Sequence, residues 1–185
     1  QQQDGSFTAS EQPYLKQSNY HEDTNAAFFD ADADGDLDLY VVSGGYGAPN
    51  AGIALEDRLY LNKNGLFIPS QSLPKDKQLG SVVVPWDFDL DGDLDLFVGT
   101  RVKQSEFPKG APSLILSNDG KGNFTQRKIP YFDRVTDALV HDFDGDQVAE
   151  LLVIGDWTTP KVLAFQNRSF IDKTSDFFTE NLSGW

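Results

Sequence analysis

Fourteen carboxylates fall in three short stretches of this sequence. Asp30, Asp32, Asp34, Asp36 and Asp38 alternate through 30–38, and Asp87, Asp89, Asp91, Asp93 and Asp95 repeat the alternation through 87–95. Asp142, Asp144, Asp146 and Glu150 fill 142–150. The shared pattern is D-x-D-x-D-G-x-x-D. Acids at the first, third and fifth positions of a tight loop can aim oxygens at one centre. A glycine at the sixth permits a sharp reversal, a carbonyl at the seventh turns inward, and an acid at the ninth closes the cage. Hard oxygen ligands in this number suit Ca²⁺, which takes six to eight of them, whereas Mg²⁺ keeps its waters. Without a cation, the crowded carboxylates would repel one another by on the order of kcal/mol per pair.

The ligands assign by position. They are Asp30, Asp32, Asp34, the carbonyl of Asp36, and Asp38 in the first loop; Asp87, Asp89, Asp91, the carbonyl of Asp93, and Asp95 in the second; and Asp142, Asp144, Asp146, the carbonyl of Val148, and Glu150 in the third. Up to three Ca²⁺ ions are expected, with the third site the weakest. There Gln147 replaces the glycine and Glu150 replaces the closing Asp. An EF-hand is excluded, because its twelfth position should be Glu and is Val41, Val98 and Val153 here, and because the flanks do not read as helices.

The elements that must hold these loops recur with them. The clusters begin at Asp30, Asp87 and Asp142, a period of 57 and then 55 residues, which signals a repeat architecture. Short apolar runs precede each cluster (Ala26–Phe29, Val82–Trp86, Ala138–His141) and follow it (Leu39–Val42, Leu96–Val98, Leu151–Ile154). They are β-branched or aromatic and too short for helices, so each cluster reads as the loop of a β-hairpin. A third strand follows at Arg58–Leu61, Ser113–Leu116 and Lys161–Phe165, then a polar turn and a Phe (Phe67, Phe124, Phe170) that opens a fourth. Four short antiparallel strands per period describe a propeller blade. The fold class is therefore all-β, with three four-stranded β-propeller blades in one domain, expected to be a segment of a larger ring. Residues 1–8 would end a preceding blade, since Gln3–Phe7 matches the turn before a fourth strand. Residues 9–68, 69–126 and 127–172 are the three repeats. Residues 173–185, ending in Gly184-Trp185, would begin a following one. Gly44–Asn50 and Phe107–Pro112 read as surface loops between second and third strands. Open sheet edges at both ends call for further blades or neighbouring subunits to cover them.

Composition narrows the partners. The chain has 185 residues and a formal net charge of −14, which the three clusters account for entirely. That acidity argues against nucleic acid and anionic membranes. The apolar runs are too short to span a bilayer, so membrane insertion is not expected. With no Cys there is no disulfide, thiolate zinc site or cysteine nucleophile, and with no Met the chain is expected to be a processed product or a piece of something longer. No catalytic motif stands out. His21 lies in a polar surface stretch, and His141 occupies the place of Phe29 and Trp86, which implies packing beside the loop. Trp157, Tyr46 and Trp86 could stack on a sugar, although aromatic residues in β-repeats more often fill the core.

The stretches Phe28–Leu39 and Trp86–Val98 resemble the FG-GAP/VCBS repeat, the calcium-binding blade also found in integrin α-subunit propellers. The stretch from Val135 through Trp157, with the terminal Gly184-Trp185, is similar to the form in cartilage-acidic-protein-like proteins that often carry an ASPIC/UnbV module. The resemblance implies structural calcium, an extracellular or cell-surface setting, and adhesion or ligand binding. Cytosolic calcium is too low for loops of about 10⁻⁴ M affinity, which fits an extracellular or periplasmic setting, and with no catalytic motif the expected role is binding of a protein or glycan without catalysis. The alternatives are the propeller portion of a secreted carbohydrate-active enzyme of the polysaccharide-lyase kind, or a structural component of a surface assembly.

Overall fold

A computed structural model describes residues 3–45, 53–75, 79–103, 106–127, 129–130 and 132–179. Among these residues, twelve strands form three four-stranded antiparallel sheets in simple up-and-down order. The first blade comprises β1 (Asp23–Phe29), β2 (Asp38–Ser43), β3 (Arg58–Lys63) and β4 (Leu66–Pro69). The second comprises β5 (Leu79–Trp86), β6 (Asp95–Val102), β7 (Leu114–Asn118) and β8 (Phe124–Arg127). The third comprises β9 (Val135–His141), β10 (Glu150–Gly155), β11 (Lys161–Gln166) and β12 (Ser169–Asp172). All three acidic clusters are hairpin loops between the first and second strands of a blade. The register that closes them is identical, with Phe29 opposite Asp38, Trp86 opposite Asp95 and His141 opposite Glu150.

The blades stack face to face, β5 lying against β1 and β2, and β9 against β5 and β6. The layer between the first two blades is built from Phe29, Tyr40, Val42 and Leu59 on one side and Val83, Leu96, Val98, Leu114 and Phe124 on the other. Between the second and third it is built from Val82, Phe97 and Ile115 against Val135, Leu151, Val153 and Leu163. The second blade is thus covered on both faces, which explains why β6 is buried along its whole length except at Arg101. The sheets do not close into a ring. The outward face of the first blade leaves Phe28 exposed, and that of the third leaves Leu139 and Ile154 exposed.

Two short α-helices among the described residues are not evident from the sequence. Helix α1 (Pro13–Gln17) starts on a proline and lays Tyr14 and Leu15 over Leu39, Val41 and Tyr60 on the outward face of the first blade. Helix α2 (Thr174–Phe177) follows β12, and its Phe177 meets Phe143 edge-on at 5.9 Å. Near the N-terminus, the exposed Asp4–Ser6 turn (Ser6 N–H to Asp4 Oδ1, 2.9 Å) leads into a stretch without regular secondary structure that joins no sheet among the described residues. Gly184-Trp185 and most of the Gly44–Asn50 loop lie outside the described residues.

Each acidic loop also sends its second residue away from its own hairpin. Ala31 is fully buried against the second blade, and Phe88 inserts among Trp86, Phe165 and Phe170 at the third. Truncating a buried Phe leaves a cavity that neighbours fill only partly. Phe88→Ala is therefore expected to lower the unfolding free energy by about 3–5 kcal/mol in urea denaturation. A loss below about 1 kcal/mol would mean that this inter-blade contact does not form.

Candidate metal centres

The three loops share one hydrogen-bonded skeleton. The first-position carboxylate accepts the N–H of the sixth residue: Gly35 to Asp30 at 3.0 Å, Gly92 to Asp87 at 3.2 Å, and Gln147 to Asp142 at 2.9 Å. The fifth-position carboxylate accepts the N–H of the seventh: Asp36 to Asp34 at 3.2 Å, Asp93 to Asp91 at 3.0 Å, and Val148 to Asp146 at 2.8 Å. These bonds bend the chain tightly enough to need two left-handed residues. The sixth position is left-handed as expected, at φ 91° for Gly35, 96° for Gly92 and 73° for Gln147. The fourth is left-handed as well, at φ 57° for Ala33, 60° for Leu90 and 80° for Gly145. The third loop has moved its glycine from the sixth place to the fourth.

The ninth-position acid lies beneath the loop as the first residue of the second strand. Asp38, Asp95 and Glu150 are at most 1% exposed. Asp38 accepts the Ala31 N–H at 2.8 Å and the Asn62 N–H at 2.7 Å. Asp95 accepts the Asn118 N–H at 2.8 Å, and Glu150 accepts the Phe143 N–H at 3.0 Å. Asn62 and Asn118 also donate their side-chain amides to the eighth-position carbonyls, Leu37 and Leu94, at 3.2 Å each. Asn118 further reaches the Ala31 carbonyl of the neighbouring blade's loop at 2.9 Å. These two asparagines read in the sequence only as turn residues. Their recurrence 24 and 23 residues after the closing acid was the available signal.

The carboxylates converge. In the first loop Asp30, Asp32 and Asp38, and in the second Asp87, Asp89 and Asp95, each offer an oxygen within 4.8 Å of the others, so each trio could hold a metal ion. Asp34 and Asp91 stand outside these trios, exposed on the rim. In the third loop the trio is Asp142, Asp144 and Asp146, without Glu150. Among the described residues, buried oxygens without a hydrogen-bond partner remain on Asp30, Asp32 and Asp36 in the first loop and on Asp87, Asp89 and Asp95 in the second. Buried polar atoms are normally paired, so these oxygens fit a cation at the centre of each loop. Of the seventh-position residues, Asp36 thus has a buried side-chain oxygen without a partner.

The electrostatics agree. Burial, reinforced by Asp91, raises the Asp89 carboxyl, and burial raises Asp38 and Asp36. Burial pushes Asp95 up to about 7 against the help of the Asn118 N–H. Asp34 is held low by Lys63, which reaches Asp32 at 2.7 Å and Asp34 at 2.9 Å from the solvent side. In the third loop Lys173 Nζ lies 3.1 Å from Asp144 and 3.4 Å from Glu150, holding Asp144 low.

Outside the loops, His21 is partly buried against Tyr20, with ring centroids 4.4 Å apart, and burial lowers its pKa. His141 is exposed, unlike Phe29 and Trp86, and packs edge-on against Phe143 at 5.3 Å. Trp86 is core, but Trp157 is not. Trp157 is 58% exposed, with Phe107 6.4 Å away, on the rim opposite the acidic loops. Tyr46 lies outside the described residues.

Two measurements test this geometry. An acid raised on folding stabilises the fold fully below its unfolded pKa and loses that contribution as pH rises through the folded value. For Asp95 the window runs from 3.8 to about 7. Chelator-treated protein should therefore melt at a lower temperature at pH 8 than at pH 5, with a shallower decline in Asp95→Asn. An unchanged slope in that variant would refute the assignment. Gln147→Gly should raise the unfolding free energy by about 1 kcal/mol, because glycine adopts the left-handed region without steric strain. A loss of stability on that substitution would contradict the backbone described.

No curated protein matches the chain. The sequence does match the FG-GAP-like repeat, over residues 30–98 and again over 87–153, each match starting at the first acid of one loop and ending in the strand that directly follows the next loop. The two matches together span more than half of the chain. With the repeated hairpin loops and four-stranded blades, they establish that the chain belongs to the FG-GAP-like repeat family.

Proposed function

We propose that this chain is a calcium-stabilised β-propeller module of an extracellular, cell-surface or periplasmic protein, serving adhesion or the binding of a protein or glycan rather than catalysis. The observation that carries the calcium reading is the set of buried, unpartnered carboxylate oxygens beneath the first two loops. Oxygen-only donors on a flexible loop favour Ca²⁺ over Mg²⁺, which needs stricter octahedral geometry, and over Zn²⁺, for which His and Cys are the usual partners.

The setting follows from affinity. Extracellular calcium modules bind at about 10⁻⁴ to 10⁻³ M. At about 10⁻⁴ M, millimolar calcium contributes about 1.4 kcal/mol per site, whereas cytosolic calcium would contribute almost nothing. FG-GAP-like repeats are typical of extracellular proteins, which supports the same placement. Further blades or neighbouring subunits would cover Phe28, Leu139 and Ile154 on the outward faces. The exposed Trp157 and Phe107 offer an apolar contact for a ligand on the rim opposite the ions.

EDTA is expected to lower the melting temperature by several degrees and added calcium to restore it; a melting curve indifferent to both would remove calcium from the account. In calcium, Asp89→Ala should destabilise more than Asp144→Ala, because Asp89 lies in a trio with unpartnered buried oxygens while Asp144 is neutralised by Lys173. The reverse order would refute this ranking of the loops.

A further inference from the structure

The third loop differs from the other two in what its oxygens already hold. Both Asp142 oxygens are taken by backbone donors: Oδ1 by Gly145 at 2.7 Å and Asp146 at 3.1 Å, and Oδ2 by Gln147 at 2.9 Å. Asp144 Oδ1 accepts the Asp146 N–H at 3.1 Å, and Asp144 Oδ2 faces Lys173 Nζ at 3.1 Å. Glu150 Oε2 accepts the Phe143 N–H at 3.0 Å, and Glu150 Oε1 faces Lys173 Nζ at 3.4 Å. No oxygen of this loop is among the buried unpartnered atoms of the described residues, whereas each of the other loops has three.

Lys173 is placed by the fold. Its N–H donates to the Val162 carbonyl at 2.8 Å and its own carbonyl accepts the Asp176 N–H at 2.9 Å, so its backbone is fixed on both sides. The strand registers put Ser70 at the same place in the first blade and Arg127 in the second. Ser70 has no charge to offer. Arg127 lies over the Phe88 ring, 6.0 Å from its centroid, with a bond to Ser117. Its charge acts on Asp89 without pairing to it, and among the described residues only in the third blade does a cation from this place form ion pairs in the loop, where its side chain is 14% exposed. Glu150 in place of Asp lengthens the closing arm by one methylene, enough to meet it. Phe165 stands where Asn62 and Asn118 stand, opposite the Phe that opens the fourth strand, so the asparagine bracket of the other loops is missing. Lys63 in the first loop is different. It is 43% exposed and leaves the inner oxygens of Asp30 and Asp32 unpartnered.

We propose that the ammonium of Lys173 is the resident cation of the third loop, so that this loop stands without a metal ion and the chain takes two divalent ions rather than three. Lys173 is then the residue that sets metal specificity among otherwise similar loops. The proposal rests on the reading of the first two loops as calcium sites.

Counting bound calcium on the full chain, by isothermal titration with CaCl₂ and by native mass spectrometry, tests it. The unaltered chain should bind two ions. Lys173→Met, which keeps the arm without its charge, should bind three. Asp89→Asn should bring the count to one, while Asp144→Asn should leave it at two. Three ions on the unaltered chain, an unchanged count in Lys173→Met, or a drop in Asp144→Asn would each overturn the proposal. Should Lys173→Met fail to fold, the contrast between Asp89→Asn and Asp144→Asn decides alone. A chain that binds no calcium at all would overturn the calcium reading itself, a result distinct from binding two ions in every variant.

Discussion

A carboxylate buried under its own loop is the constraint from which the rest of each blade follows. Asp38, Asp95 and Glu150 are sealed from solvent at the start of a central strand, where an unpaired charge would cost several kcal/mol. Each must be met by donors, by a proton or by a cation. Backbone N–H groups from the loop above and from the third strand meet part of the demand. What remains differs among the loops. Inner oxygens are left over in the first two, and a lysine answers in the third. The hairpins are thus built from the closing acid outward, and the alternating acids above it complete a cage whose floor is already fixed.

The same floor ties the blades together. Asn118 holds the closing acid of its own blade by its backbone N–H and the loop of the first blade by its side chain. The second residue of each loop points the same way, with Ala31 under the second blade, Phe88 under the third and Phe143 against helix α2. Helix α2 therefore gives the last loop the kind of apolar neighbour that the other two find in a blade. Loop geometry and inter-blade packing are one structure, because the residue that bends the hairpin and the residue that docks it are adjacent in sequence.

Much of this was legible before any coordinates. The period, the strand positions, the hairpin character of the acidic stretches and the left-handed sixth position all follow from local pattern, since alternation of apolar residues and turn chemistry act over a few residues. What escaped was set at longer range or against preference. Ala33 and Leu90 give no sign of a left-handed fourth position, because neither residue favours it. Aligning the turns sets Gln166 beside Asn62 and Asn118, but strand register gives that place to Phe165, and register is a property of paired chains. Lys173 comes from beyond the fourth strand to a loop 23 residues away from it at Glu150. Trp157 reads as core by composition and is displayed on the rim instead.

The exchange of glycine between the two left-handed slots bears on how such loops are recognised elsewhere. A signature that insists on glycine at the sixth place would pass over the third loop, although its backbone follows the same course as the other two. Written as two left-handed slots with glycine permitted in either, the signature retains all three copies. It also describes the route by which a duplicated hairpin can drift in sequence while its outline stays intact.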